Sequence, residues 1–164
     1  MTAPRRPPGP RGQHDRSSLR AGVLFDVDGT LADSNYLHTL AWSRALAELG
    51  EWAPSDAVRK LLACDDVIDA VTSSDDVDAS KPSPDIFEAA LKAGSVDPRR
   101  AIVVGDSVWG VRAARRAGLG CVGVETGGFS SHELDEEGAL HVYRDVEELA
   151  RQLHTSPLST LIAR

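Results

Sequence analysis

An alternation constrains this chain more than any single residue does. Short apolar or β-branched runs, each stopping at Asp, Gly or Ser, trade places with stretches whose apolar residues recur at helical spacing. Ala101 to Val104 runs into Gly105-Asp106-Ser107, a helical pattern follows from Val108 to Ala117 and closes at Gly118, and Cys121 to Val124 is a second such run. Gly22 to Phe25 does the same ahead of Asp26, Val27, Asp28, Gly29 and Thr30. Unbroken apolar runs of this length read as strands buried on both faces, and helices between them supply the crossovers that parallel strands require. The pattern therefore predicts an α/β fold with a doubly wound, Rossmann-like parallel sheet and helices on both faces.

The remaining stretches fill in that frame. Ser34 to Leu49 carries Leu37, Leu40, Ala41, Ala45 and Leu49 on one helical stripe before Gly50, and Pro54 opens a shorter helix through Val58, Leu61 and Leu62. Ile68 to Thr72 reads as a strand. Ser83 and Pro84 are placed to cap and open a helix ending near Gly94, and Ser130 to Glu133 spells a capping box. A short strand at Leu140 to Tyr143 and a helix over Asp145 to Leu153 complete the set. The expected organisation is a basic Pro/Arg-rich disordered tail over 1–20, one α/β domain over 21–155 with a reduced helical-hairpin cap at 34–63, and a C-terminal tail over 156–164.

Charge narrows the partners. Residues 1–20 hold Arg5, Arg6, Arg11, Arg16 and Arg20 against Asp15, a balance of +4, so a net charge of −7 leaves −11 on the rest. An acidic body repels nucleic acid phosphates, so no nucleic acid partner is expected. No apolar run approaches the roughly 18 residues of a membrane span, and no membrane partner is expected either. The leader lacks the apolar segment of an export signal. Cys64 and Cys121 match no disulfide framework or metal-ligand spacing, which suits a reduced cytoplasm.

Ligands of such sheets gather at the carboxyl ends of the strands. Asp26, Asp28 and Asp106 fall there, and Lys81 follows the strand beginning at Ile68. Carboxylates converging in one cleft repel, and a divalent cation relieves that repulsion; all-oxygen ligation by few protein groups points to Mg²⁺ sharing its site with phosphate. Lys81 adds a positive point charge for that phosphate. Asp26 can attack phosphorus as a nucleophile, while Asp28, held near by the turn that Gly29 permits, can protonate the leaving group and then activate water.

Phe25-Asp-Val-Asp-Gly-Thr-Leu-Ala-Asp-Ser34, Lys81-Pro-Ser-Pro-Asp85 and Val103-Val-Gly-Asp-Ser107, in that order, resemble motifs one, three and four of the haloacid dehalogenase superfamily. The likeness is greatest to its phosphoglycolate phosphatase and β-phosphoglucomutase branch. It covers residues 21 to about 150. The resemblance implies Asp26 as nucleophile, Asp28 as general acid/base, Lys81 as the phosphate-orienting cation, and a Mg²⁺ ion on Asp26, the Asp28 carbonyl and Asp106. Two departures stand out. The branch has a larger helical cap and a strand ending in a phosphate-binding Ser or Thr, for which the chain between Trp52 and Ile68 has no room. Ser73 is the candidate for that hydroxyl, and Ile68 to Thr72 is expected to pair directly with Gly22 to Phe25. Gly110 also stands where the family usually has another acidic residue supporting the metal.

Each of these residues has a plainer reading. Asp106 can cap the following helix, Lys81 can be a solvated surface lysine, and Asp26 to Gly29 can be a fragment of a calcium loop, although Thr30 and Leu31 do not suit one. His38 and Trp42 can be ordinary core or cap contacts, Cys64 and Cys121 small buried hydrophobes, and the acidic run from Glu133 to Glu137 a solvated helix face. Two functions follow: a Mg²⁺-dependent phosphomonoester hydrolase acting on a small phosphorylated metabolite, or a shortened relative that binds metal or phosphate with little turnover.

Overall fold

The computed structural model describes residues 19–31, 70, 72 and 79–162. Among the described residues four strands, β1 (Arg20–Phe25), β2 (Val96–Gly105), β3 (Gly120–Val124) and β4 (His141–Tyr143), form one sheet in the order β1-β2-β3-β4. All three pairings are parallel. The helices are α1 (Asp85–Ala93), α2 (Val108–Arg116), α3 (Ser131–Glu136), α4 (Val146–Arg151) and α5 (Ser159–Ile162).

Strand geometry sends alternate side chains to opposite faces, and β2 follows that rule residue by residue. Ala101 and Val103 join a core with Phe87 and Leu91 of α1, Val111, Ala113 and Ala114 of α2, and Leu134 of α3. Ile102 and Val104 face the other way, onto Tyr143, Leu149 of α4 and Leu158. Both faces are thus covered, as the apolar runs predict. Val103 and Val104 are wholly buried, each contributing about 1.5–3 kcal/mol relative to exposure.

The capping box at Ser130 forms as expected, its hydroxyl accepting from the Glu133 N–H at 3.3 Å while Glu133 accepts from the Ser130 N–H at 2.9 Å. Asp145 caps α4 by accepting from the Glu148 N–H at 2.7 Å. Gly118 closes the turn after α2 with φ +74°, a conformation that disfavours a side chain.

Several expectations need correction. Ser83 does not cap α1: its hydroxyl donates to the Asp85 carboxylate at 2.6 Å, and the helix begins at Asp85. The second strand starts at Val96 rather than Ala101, because Val96 pairs with Arg20 across an irregularity before the ladder resumes at Gly22 and Ala101. Pro98, Arg99 and Arg100 lie in that interval, exposed and polar or proline, so no apolar run announces it. The segment read as a C-terminal tail from residue 156 instead packs, with Ser156 and Leu158 buried and Leu161 against the second core. Glu137 is not merely solvated, since its carboxylate holds Arg112 from α2. The hairpin cap at 34–63, the strand from Ile68 to Thr72 apart from Ala70 and Thr72, and His38, Trp42, Cys64 and Ser73 lie outside the described residues.

Candidate active site

Parallel register brings the sequence-distant acids together. Phe25 pairs with Val104, and the next N–H, that of Asp26, donates to the Val104 carbonyl at 2.9 Å. Asp26 and Asp106 therefore leave the carboxyl ends of adjacent strands. The chain after Asp26 turns at once, the Leu31 N–H donating to the Val27 carbonyl at 3.0 Å, with Gly29 at φ +74° inside the turn.

Asp26 is held at both oxygens. Its Oδ1 accepts from the Val27 N–H at 3.0 Å, and its Oδ2 meets the Lys81 ammonium. Lys81 therefore occupies the site rather than open solvent, although its loop is distant in sequence. The Phe87 ring lies beneath its Nζ at 5.9 Å from the centroid, a favourable cation–π separation.

Asp106 does not cap α2. Ser107 does so, its hydroxyl accepting from the Gly110 N–H at 3.1 Å, which leaves the neighbouring carboxylate turned to the site. Asp106 is buried, with the Thr30 hydroxyl donating to its Oδ1 at 3.3 Å. Burial first, and the charge of Asp26 second, hold its carboxyl above the ordinary value of 3.8. The same field reaches deeper: burial and Asp26 push the Cys121 thiol up to about 12, so it is an inert neutral hydrophobe under the site.

Two glycines make room for Asp106. A Cβ built on either Gly29 or Gly127 would fall on its carboxylate. Gly127 is thus required by close approach. Thr126 beside it donates to the Gly29 carbonyl, joining the loop after β3 to the turn after β1. Thr30, Thr126 and Gly127 escaped the reading of residues alone. The spacing of Gly29-Thr30 after the acidic pair was the one available signal for Thr30. At Gly110 an added Cβ would lie 4.0 Å from Asp26 Oδ2, so this position faces the same carboxylate.

Asp28 is exposed, and among the described residues no three His, Cys, Asp or Glu side chains are grouped to hold a metal ion. The structure brings Asp26 and Asp106 to adjacent strand ends. Asp26 and Asp106 nevertheless offer hard oxygen donors in one repulsive field, and that donor chemistry fits a hard divalent cation carrying several waters.

The profile of the haloacid dehalogenase-like hydrolases matches residues 50–118, a stretch that contains Lys81 and Asp106. A hydrolase from Pseudomonas syringae superposes with TM-score 0.64 at 26% identity, covering 83% of this chain and 99% of that one. Over residues 50–118 the chain is similar to the haloacid dehalogenase-like hydrolases. Among its curated relatives are protein CbbY of Cereibacter sphaeroides, 43% identical over 68 residues, and validoxylamine A 7'-phosphate phosphatase of Streptomyces hygroscopicus subsp. limoneus, 31% identical over 100 residues. These matches take in 42% and 61% of this chain, and 29% and 47% of those proteins, so the chain spans less than half their length. No helix among its described residues is long and apolar enough to cross a membrane.

Proposed function

We propose that the chain is a Mg²⁺-dependent phosphomonoester hydrolase that forms an aspartyl-phosphate on Asp26 and acts on a small phosphorylated metabolite in a reducing cytoplasm. The observation that carries this reading is the Lys81 ammonium seated on the Asp26 carboxylate, next to a strand end bearing a buried Asp106. The phosphatase among its relatives supports the reaction class.

Lys81 neutralises incoming phosphoryl oxygens and aligns phosphorus with Asp26. The Asp26 carboxylate attacks phosphorus, the P–O bond to the leaving group breaks, and Asp28 supplies the proton to the departing oxygen. Exposure suits Asp28 to its second task, taking a proton from the water that cleaves the aspartyl-phosphate and releases phosphate. Asp26, Asp106 and the Asp28 carbonyl would hold Mg²⁺, which supplies charge neutralisation for the transferring group. Gly29 shapes the turn whose backbone borders the phosphate, and Ser73 is the proposed hydroxyl contact.

Hydrolysis of p-nitrophenyl phosphate with and without Mg²⁺ tests the proposal. The wild-type chain should release p-nitrophenol only with the metal, and Asp26→Asn should abolish release while leaving the folded signal intact. Equal rates for the wild type and Asp26→Asn would refute it and favour a metal- or phosphate-binding module without turnover.

A further inference from the structure

We propose that Arg116 is a positioning residue for Lys81, a role that rests on the hydrolase reading above. Lys81 sits in the loop before α1, outside any strand or helix, and carries a flexible four-carbon stem. Something must fix the backbone from which it reaches Asp26. One restraint is local, the Ser83 N–H donating to the Ser80 carbonyl at 3.0 Å. The other comes from a distance of 34 residues: Arg116 Nη1 donates to the Pro82 carbonyl at 2.8 Å, one residue past Lys81.

The position of Arg116 on α2 gives this bond its significance. Gly110, in the first turn, faces Asp26 Oδ2, whereas Arg116 lies in the last turn. Six residues of helix span about 9 Å, and helical side chains lean toward the amino end, so the guanidinium reaches back along α2 toward the site. One helix thus runs past both partners of the ion pair, its first turn bordering Asp26 and its last turn fastening the lysine loop. Arg115, adjacent and of equal charge, does something else, donating to the Glu137 carbonyl at 3.3 Å and so serving α3.

That contrast supplies the control. Arg116→Ala, Arg116→Lys and Arg115→Ala are compared in the full chain by two readouts. In Mg²⁺-dependent hydrolysis of p-nitrophenyl phosphate, Arg116→Ala should lower kcat/KM about fivefold, the worth of one hydrogen bond, with the melting temperature lowered by no more than about 4 °C. Arg116→Lys should recover most of the loss, and Arg115→Ala should behave as wild type. Acetylation of Lys81 by an N-hydroxysuccinimide ester, mapped by mass spectrometry against exposed Lys92, needs no turnover. It should quicken about fivefold in Arg116→Ala alone, as the lysine is released from Asp26. A wild-type chain without hydrolysis would defeat the hydrolase reading and leave the labelling to decide the role of Arg116. Lys81 labelling at the wild-type rate in Arg116→Ala, or equal effects of Arg115→Ala and Arg116→Ala, would overturn the proposal.

Discussion

Replacing Gly127 and Gly128 by alanine, one at a time, separates two physical costs at neighbouring positions. Gly128 has φ +86° with nothing within 4 Å of an added Cβ, so Gly128→Ala meets only the penalty of a left-handed backbone, about 1 kcal/mol. Gly127 lies outside that backbone region, but its added Cβ would overlap the Asp106 carboxylate and approach the Asp106 carbonyl oxygen to 2.7 Å. Overpacking of that kind costs about 1–3 kcal/mol, and here the neighbour that must move is buried and hydrogen-bonded to Thr30. At roughly 2–4 °C per kcal/mol for a chain of this size, Gly128→Ala should melt a few degrees low and Gly127→Ala up to about 10 °C low. Calorimetry gives the first comparison, and hydrolysis of p-nitrophenyl phosphate gives the second. Only Gly127→Ala should lose activity out of proportion to stability, because only it displaces Asp106. In an Asp106→Ala background the stability cost of Gly127→Ala should shrink, since the clashing carboxylate is gone, while the cost of Gly128→Ala should not. Equal losses at both positions, unaltered in that background, would refute the assignment of Gly127 to the site.

Three shorter predictions accompany it. Because the folded carboxyl of Asp106 titrates above its unfolded value of 3.8, its contribution to stability is complete below that value and is lost as pH rises through the folded pKa; Asp106→Asn should therefore be the more stable protein at neutral pH, the gap closing on acidification in pH-dependent urea melts. Cys121, with its thiol pushed up to about 12, should resist iodoacetamide in the native protein and react once unfolded, as read by peptide mass spectrometry. Gly110→Asp places a carboxylate beside Asp26 and should tighten Mg²⁺ binding severalfold in isothermal titration calorimetry; affinity at or below that of wild type would count against a cation at this position.

The sheet was legible because burial on both faces leaves a mark in sequence. Ile102, Val103 and Val104 have no polar neighbour among them since each face of β2 meets a core. The start of β2 left no such mark, for Pro98, Arg99 and Arg100 sit outside the layers. At the site, Asp26 and Asp106 were legible through residue type and place, acids just beyond apolar strands, and Lys81 through the Lys81-Pro-Ser-Pro-Asp85 motif. What the sequence concealed was division of labour between neighbours. Asp106 and Ser107 are both good helix caps, and only geometry reveals that the serine takes the cap and frees the acid. Gly127 and Gly128 look alike as letters, yet one answers to a neighbouring side chain and the other to its own φ.

The charge balance of the cleft is the point at which fold and function bear on each other. Asp26 and Asp106 bring two carboxylates to adjacent strand ends, and Lys81 is seated on the first of them. Asp106 is given a threonine hydroxyl and the backs of two glycines. A hydroxyl is a neutral donor, and one neutral hydrogen bond offsets only part of the cost of removing a carboxylate from water. Had stability been the sole requirement, a neutral residue at 106 would serve the core better, which is the expectation for Asp106→Asn. A pair of acids sharing one ammonium makes sense when further positive charge is to arrive with the substrate complex. Lys81 alone cannot satisfy both acids, since its ammonium is committed to Asp26 while the charge of Asp26 still acts on Asp106. The repulsion between the two carboxylates is therefore the quantity that cation binding would relieve, and it ties metal affinity to stability: under the proposed chemistry, Mg²⁺ should raise the melting temperature of the wild type more than that of Asp106→Asn.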